Sequence, residues 1–409
     1  MKDLLPFLKT RIPGPKSRAL ARQLRRYESR NITFVSDRWP IFWQRAEGAN
    51  VWDVDGNRYI DLTAAFGVAN VGHSNPRVVK AIQVQAGKLL HAMGDVHPNE
   101  LKLKLARDLV ALTFGRWNKS EGRVVFANSG AEAVEVALKT AAIHTKRPGV
   151  IAFEGAYHGL TYGALDTTWR ADFRKPFSGQ LGHFTAHVPF GRLPDVANIQ
   201  DFGAVIVESI LGRGGIVVPP DDFLPKLRRF CDEHGLLLIL DEIYTGFCRT
   251  GRWFACEHSG AVPDLVCVGK AMAAGFPISA CIGRAKVMDS WPESQGEAIH
   301  TSTFMGNPLG CAAALASIGE MKRLKLDARS RELGEWLAAR LARIGKVRGR
   351  GLMLGLEVGD AVPIVEKLLQ RGVLVLPEGS QGEVLGLTPP LVITKRQLNF
   401  CLEALALVL

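Results

Sequence analysis

Lys270 stands in Cys267-Val268-Gly269-Lys270-Ala271-Met272-Ala273-Ala274-Gly275, at the end of a short apolar run and 29 positions after Asp241. Asp241 in turn closes the run Leu236-Leu237-Leu238-Ile239-Leu240 and is followed by Glu242. A buried parallel strand reads this way when it delivers a carboxylate to the ligand-binding edge of a sheet. Together the two residues suggest a Schiff-base lysine and an acidic partner for a cofactor. A carboxylate at a buried strand end is costly unless paired, and a pyridinium N–H⁺ is a suitable partner. Opposite charges ~4 Å apart attract by about 4 kcal/mol at an effective dielectric near 20, enough to keep a ring nitrogen protonated and the ring an electron sink. The lysine must lose its own charge to attack a carbonyl, which a desolvated, cation-rich pocket promotes. A lone Gly-Lys after an apolar run more often marks a lysine leaving the core for solvent, so the other segments decide the matter.

The first is Phe126-Ala127-Asn128-Ser129-Gly130-Ala131-Glu132-Ala133-Val134-Glu135, which passes from strand to helix through small residues. Ser129 and Glu132 have capping-box spacing, and Gly130 and Ala131 leave the helix mouth open. Exposed N–H groups at the positive end of a helix dipole make a phosphate seat. The second is Phe153-Glu154-Gly155-Ala156-Tyr157-His158-Gly159, where a Tyr among glycines just after a strand could stack on a flat heteroaromatic ring.

These segments need a scaffold, and the chain spells one out. Apolar strands are predicted at residues 123–127, 149–153, 204–208, 236–241, 265–268 and 279–283, several separated by helix-length segments such as 131–144 and 223–234. That alternation argues for an α/β fold with a largely parallel sheet. Val51 to Leu62 alternates around Asp55-Gly56-Asn57 and reads as a β-hairpin. After Pro308 come a long Ala-rich helix and the strand-like runs Gly349–Glu357 and Gly372–Leu376, which look like a smaller α+β domain. The expected division is a large domain over 65–305 and a small domain built from 1–64 and 306–409.

A chain of 409 residues with 47% hydrophobic and 22% charged content suits a soluble globular protein of one large and one small domain. No stretch approaches the ~20 apolar residues of a membrane span, and the start lacks a signal-peptide pattern, so a cytoplasmic location is expected. The seven cysteines form no CxxC pair and no zinc-like cluster with histidine, which fits reduced, buried thiols and no metal. Net charge is +11, much of it in residues 1–30, where nine Lys/Arg face only Asp3 and Glu28. Without a groove-reading motif this basic leader does not point to nucleic acid. Residues 1–45 are polar, and Ile12-Pro13-Gly14-Pro15 reads as a break in any early helix.

Taken in order, the Asn128–Glu135 and Gly155–Gly159 segments, Asp241-Glu242-Ile243-Tyr244-Thr245-Gly246, the Lys270 segment and Ser302-Thr303-Phe304-Met305-Gly306-Asn307-Pro308 resemble the class III aminotransferases. The resemblance runs from Trp52-Asp53-Val54-Asp55-Gly56 to Pro389-Pro390-Leu391. It implies the fold-type-I, aspartate-aminotransferase-like architecture and pyridoxal 5′-phosphate as cofactor. It also implies that Lys270 forms the Schiff base, that Asp241 pairs the pyridinium nitrogen, and that Tyr157, with His158 beside it, stacks on one ring face while Ile243 packs on the other. Ser129, Gly130 and Ala131 would hold the phosphate. Thr303 would reach the phosphate of the neighbouring subunit in a homodimer, and Glu208 would shape substrate binding.

The chain also departs from that family. Many members that use glutamate read Glu-Pro-x-Gln-Gly-Glu-Gly-Gly where this chain has Glu208-Ser209-Ile210-Leu211-Gly212-Arg213-Gly214-Gly215, so the sixth position has changed sign. They carry arginine three residues before Pro-Pro, where this chain has Gly386. In the family that glutamate and arginine form a switchable pair that admits the α-carboxylate of 2-oxoglutarate. Arg213 could supply the cation from the opposite wall, or simply point to solvent. The family's glutamine near the cofactor is Tyr244 here, whose phenol could make the same hydrogen bond to the cofactor while crowding the pocket differently. Trp39, Phe42, Trp43 and Phe66 fall in segments that border the substrate entrance, an aromatic lining that would favour an apolar or aromatic amine. The expected activity is transfer of an amino group from an amine or amino acid to an oxo acid. An aminomutase, racemase, epimerase or phospho-lyase on the same scaffold stays open, as does, more remotely, a catalytically silent binding protein.

Overall fold

The computed structural model describes residues 3–33 and 38–409, so Lys2 of the basic leader lies outside the described residues. The Ile12–Pro15 segment starts a helix instead of preventing one. A helix spans Pro15–Tyr27, with Pro15 in its first turn, where the missing N–H costs nothing. Asp55 holds that start by accepting from the Lys16 and Ser17 amides at 2.8 and 2.9 Å.

Strands β1 (Trp43–Glu47), β2 (Asn50–Asp53) and β3 (Arg58–Asp61) follow, and β2 and β3 form the expected hairpin with Val51 opposite Tyr59. Asp53 sets the turn by accepting from the amides of Asp55 and Asn57 and from the Tyr59 hydroxyl.

The central sheet contains β4 (Gly122–Ala127), β5 (Gly149–Phe153), β6 (Thr185–Val188), β7 (Phe202–Glu208), β8 (Leu237–Asp241), β9 (Leu265–Val268) and β10 (Ser279–Arg284). Its order is β4-β10-β9-β8-β7-β5-β6. Only β10 runs antiparallel to its neighbours, β4 and β9. Both faces are covered, as a parallel sheet requires. Val205, Val207, Leu238 and Leu240 pack into one core, and Ala204, Ile206, Leu237 and Ile239 into the other. The polar edge strand β6 has no apolar run and was not expected.

Beyond the helix Pro308–Leu324, which is capped by Asn307, come β11 (Val347–Arg350), β12 (Met353–Glu357), β13 (Val373–Leu374), β14 (Leu376–Glu378) and β15 (Val384–Leu387). The predicted run at 372–376 is split at Val375. Its first part, β13, pairs parallel with β3 and completes the sheet β1-β2-β3-β13; its second, β14, joins β11-β12-β15-β14. Both chain ends therefore build one sheet. All seven cysteines are free and buried. Among the described residues no helix is long and apolar enough to cross a membrane.

Candidate active site

Two carboxylates and an amine meet at the C-terminal edge of the parallel strands. Glu208 ends β7 and Asp241 ends β8, in direct register with each other, and Asp241 is in register with Cys267 on β9. Lys270 lies just past β9, with φ of 39°. This backbone conformation is rare for a residue with a side chain. Burial depresses the Lys270 amine below its ordinary range, although Asp241, Glu208 and Glu378 all favour its charged form; Arg213 adds to the depression. Burial likewise pushes Glu208 up to about 7, with His158 opposing and Asp241 reinforcing the rise. Glu208 accepts from the amides of Tyr157 at 2.9 Å and Gly212 at 3.0 Å. Asp241 accepts from the Ile243 amide at 3.0 Å and bonds His158 Nδ1 at 2.8 Å. His158 Nε2 is buried with no hydrogen-bond partner among the described residues, an unmatched polar atom beside the acid. Glu242 turns away and ties down the following loop through Ser209 and the amides of Ala255 and Cys256.

Opposite these groups opens the helix Gly130–Thr145. Ser129 caps it by accepting from the Glu132 amide, while Glu132 reaches past Ser129 to the Asn128 amide at 2.9 Å. The expected reciprocal box is thus shifted by one residue, leaving Ser129, Gly130 and Ala131 at an open mouth. A Cβ on Gly130 would lie 2.9 Å from Ile243, so glycine lets that side chain close over the helix start. Tyr157 lies on a different side of the site, with its ring 5.8 Å from Phe173 and the Arg213 guanidinium 4.8 Å from its centroid.

Tyr244 is fixed under the amine. Its ring centroid is 4.7 Å from Lys270 Nζ, and its hydroxyl bonds Thr388 Oγ1 at 3.1 Å. The hydroxyl is therefore held by Thr388, and the ring face is turned to the amine. Gly67 and Gly212 flank that ring so closely that a Cβ on either would come within 2.5 Å of it.

The mouth contains a strained turn. Ala64, Ala65 and Phe66 have φ of 47°, 49° and 63°, and the amides of Gly67 and Val68 bond back to Thr63 and Ala64, making a left-handed helical turn. Each such residue costs roughly 1–2 kcal/mol. Asp61 holds the turn, accepting from the Thr63 amide and hydroxyl and the Ala65 amide while pairing with His73 at 2.7 Å. Phe66 is left 66% exposed. With Trp39, Ile41, Trp43, Leu374 and Leu376 it lines an apolar cavity of about 300 Å³. Phe42 is not among the lining residues.

Arg213 is exposed, but its guanidinium lies against Tyr157 and Phe173. Glu378, at the end of β14, went unnoticed in the sequence: a single acid in Pro377-Glu378-Gly379 carries no local signal of a site. Burial pushes it up to about 7, with Arg213 the strongest opposing charge. Thr303 is exposed on a turn whose backbone is held to the 89–99 segment through Asn99 and Asn307.

This set of donors fits pyridoxal 5′-phosphate. A desolvated amine, a buried acid at a strand end, an open helix mouth and two apolar flanks from Tyr157 and Ile243 match its carbonyl, ring nitrogen, phosphate and faces respectively. Residues 33–409 match the sequence profile of the family described as Aminotransferase class-III. The acetylornithine aminotransferase of Methanopyrus kandleri is 41% identical over 377 residues, 90% of this chain and 94% of that one. The 4-aminobutyrate aminotransferase of Mycobacterium leprae is 36% identical, over 98% of this chain and 97% of its own. An ornithine aminotransferase structure from Toxoplasma gondii, with partial occupancy of pyridoxal phosphate at its active site, superposes with a TM-score of 0.85 at 32% identity, covering 96% of this chain and 94% of that one. Sequence profile, relatives and fold agree with the arrangement of amine, acids and helix mouth: this chain belongs to the class III aminotransferases, pyridoxal-phosphate-dependent enzymes of fold type I.

Proposed function

We propose that Lys270 is the catalytic base and cofactor anchor of this aminotransferase, and that its donor is an amine or amino acid with an apolar arm. The observation that carries the reading is the depressed Lys270 amine just beyond the registered strand ends of Glu208 and Asp241. When bound, pyridoxal phosphate supplies a carbonyl to take up the amino group and a protonated ring to draw electrons from the substrate's C–H bond. Uncharged Lys270 Nζ would take the proton from the substrate carbon and deliver it to the cofactor carbon that bore the carbonyl. Asp241, oriented by His158, would pair the ring nitrogen. Tyr157 and Ile243 would exclude water from the ring faces, and Ser129, Gly130 and Ala131 would donate to the phosphate. Glu208 borders the substrate, Arg213 receives a carboxylate, and Trp43 and Phe66 receive the apolar arm.

In this reading residues 65–305 form the cofactor domain, with 1–64 and 306–409 as the small domain, and the enzyme works as a cytoplasmic homodimer. The dimer is supported by exposed Leu90, Met93, Val96, Ile299 and Phe304, carried on the two mutually bonded segments that include Thr303. Contiguous apolar surface of this kind marks an interface. Thr303 would then reach the neighbouring site.

The test is to load purified protein with cofactor, add amine donors without acceptor, and assay oxo product. Stoichiometric product, with the cofactor left in its amine form and restored by pyruvate or 2-oxoglutarate, is the expected outcome. Continuous turnover of one substrate without acceptor would instead identify a mutase, racemase or lyase. Lys270→Ala should lower the rate by at least about a thousandfold.

A further inference from the structure

We propose that Glu378 is a specificity-determining residue that competes with a substrate's carboxylate for Arg213, so that this pocket carries a charge pair of reversed placement. The proposal rests on the aminotransferase reading above and concerns which acceptors the site admits.

The geometry begins with Gly386. Strands β14 and β15 pair with Leu376 opposite Gly386 and Glu378 opposite Val384. A Cβ on Gly386 would stand 2.7 Å from Glu378 Cγ and 3.5 Å from its Oε1. A side chain at 386 and the present position of Glu378 are mutually exclusive, so the acid occupies space that the missing side chain vacates. The Arg213 loop is pinned beside it, since the Gly379 amide donates to the Arg213 carbonyl at 3.1 Å. Among the described residues neither Arg213 nor Glu378 has an ion-pair partner, in a chain where many exposed arginines do. The guanidinium instead rests on the faces of Tyr157 and Phe173.

Glu378 faces Arg213 and Arg170, the Lys270 amine, the Glu208 carboxylate and the Tyr244 phenol. Raised to about 7, it is largely ionised above that pH and then screens Arg213. A second carboxylate arriving at Arg213 places two anions in one enclosed field, and the acid resolves this by taking up a proton from solvent. Arg213 is then free to grip the substrate. Oxo-acid binding should weaken as pH rises through about 7, because the competing charge on Glu378 grows.

The experiment compares pyruvate, 2-oxoglutarate and propanal, which has no carboxylate, as acceptors for wild type, Glu378→Gln, Arg213→Gln and the double variant. In Glu378→Gln the KM of an oxo acid should fall about tenfold relative to that of propanal at pH 8, and its rise between about pH 6 and 8 should flatten. In the Arg213→Gln background the same change should be nearly silent, which is the coupling a competitor requires. Gly386→Ala, which crowds Glu378 from its place, should act in the same direction. A readout independent of turnover is calorimetry with glutarate in buffers of different ionisation enthalpy, where wild type should take up a proton and Glu378→Gln should not. An oxo-acid KM that rises in Glu378→Gln, moves equally with propanal, or keeps its pH dependence would overturn the proposal. If wild type transfers to no acceptor at all, the aminotransferase reading fails, and glutarate calorimetry alone decides whether Glu378 and a carboxylate compete for Arg213.

Discussion

The amine of Lys270 lies 4.7 Å from the centre of the Tyr244 ring, which is wedged between Gly67 and Gly212 and tethered to Thr388. The ring face is the negative side of the aromatic quadrupole, so it favours the charged amine by about 0.5–2 kcal/mol and counters part of the burial that depresses it.

Separating ring from hydroxyl tests this contact. Tyr244→Phe should keep the pH midpoint of cofactor capture by Lys270 and cost about 1 kcal/mol of stability through the lost Thr388 bond. Tyr244→Leu should lower that midpoint by roughly one unit, since the charged amine loses its support. Equal midpoints in the two variants would show the ring face to be irrelevant.

Asp241→Asn retains shape and removes charge from the group paired with His158. We expect kcat to fall by at least about a hundredfold, with far-UV circular dichroism unchanged. Retained activity would remove Asp241 from the chemistry.

The share of stability that Glu208 and Glu378 contribute to the cofactor-free protein should fall as pH rises from about 4.5 to 7, against an opposing share from His187 and His258, which burial holds down to about 4. Glu208 and Glu378 are both raised from 4.5 to about 7, so the folded state holds protons that the unfolded chain has already released. Their contribution is fully present below about 4.5 and lost above about 7, on the order of a few kcal/mol in all. Lys270, shifted the other way, opposes this trend at higher pH. Urea midpoints of wild type and Glu378→Gln at pH 5 and 8 isolate the Glu378 share: the variant should gain stability relative to wild type between the two pH values.

Phe66 trades stability for reach. Phe66→Gly should stabilise the fold by roughly 1 kcal/mol by relieving left-handed backbone strain, because a side chain 66% exposed gives up little packing. The same change should lower kcat/KM several-fold for amines with a large apolar arm and spare small ones. Thermal melts and a donor series read the two effects, and a destabilised variant would contradict the strain argument.

Local chemistry explains which features could be read in advance. The helix 223–234 matched its expected limits because Gly235 takes the left-handed cap that stops it, and the strands bearing Glu208 and Asp241 announced themselves as unbroken apolar runs. Lys270 stood out for the same reason. Pro13-Gly14-Pro15 misled, since Pro15 both forbids a preceding helical turn and opens the next helix. Ala64, Ala65 and Phe66 have no intrinsic preference for left-handed backbone, and their conformation is imposed by the Asp61 hydrogen bonds. Glu378 enters the site only through β-pairing that sets it diagonal to Gly386, whose missing side chain leaves it room, and no local window of sequence contains that relationship.

Val375 has a further consequence for how the enzyme is made. Because the chain changes sheets there, Val373 pairs with Ile60 just before Glu378 enters the pocket wall. That contact closes a loop of most of the polypeptide, the slowest kind of event in folding. During synthesis the strand ends with Glu208, Asp241 and Lys270 emerge and can organise before residue 373 exists. The strand ends with Asp241 and Lys270 can therefore form before the wall that carries Glu378, and a chain stalled or cleaved short of β13 would expose Lys270 without that wall.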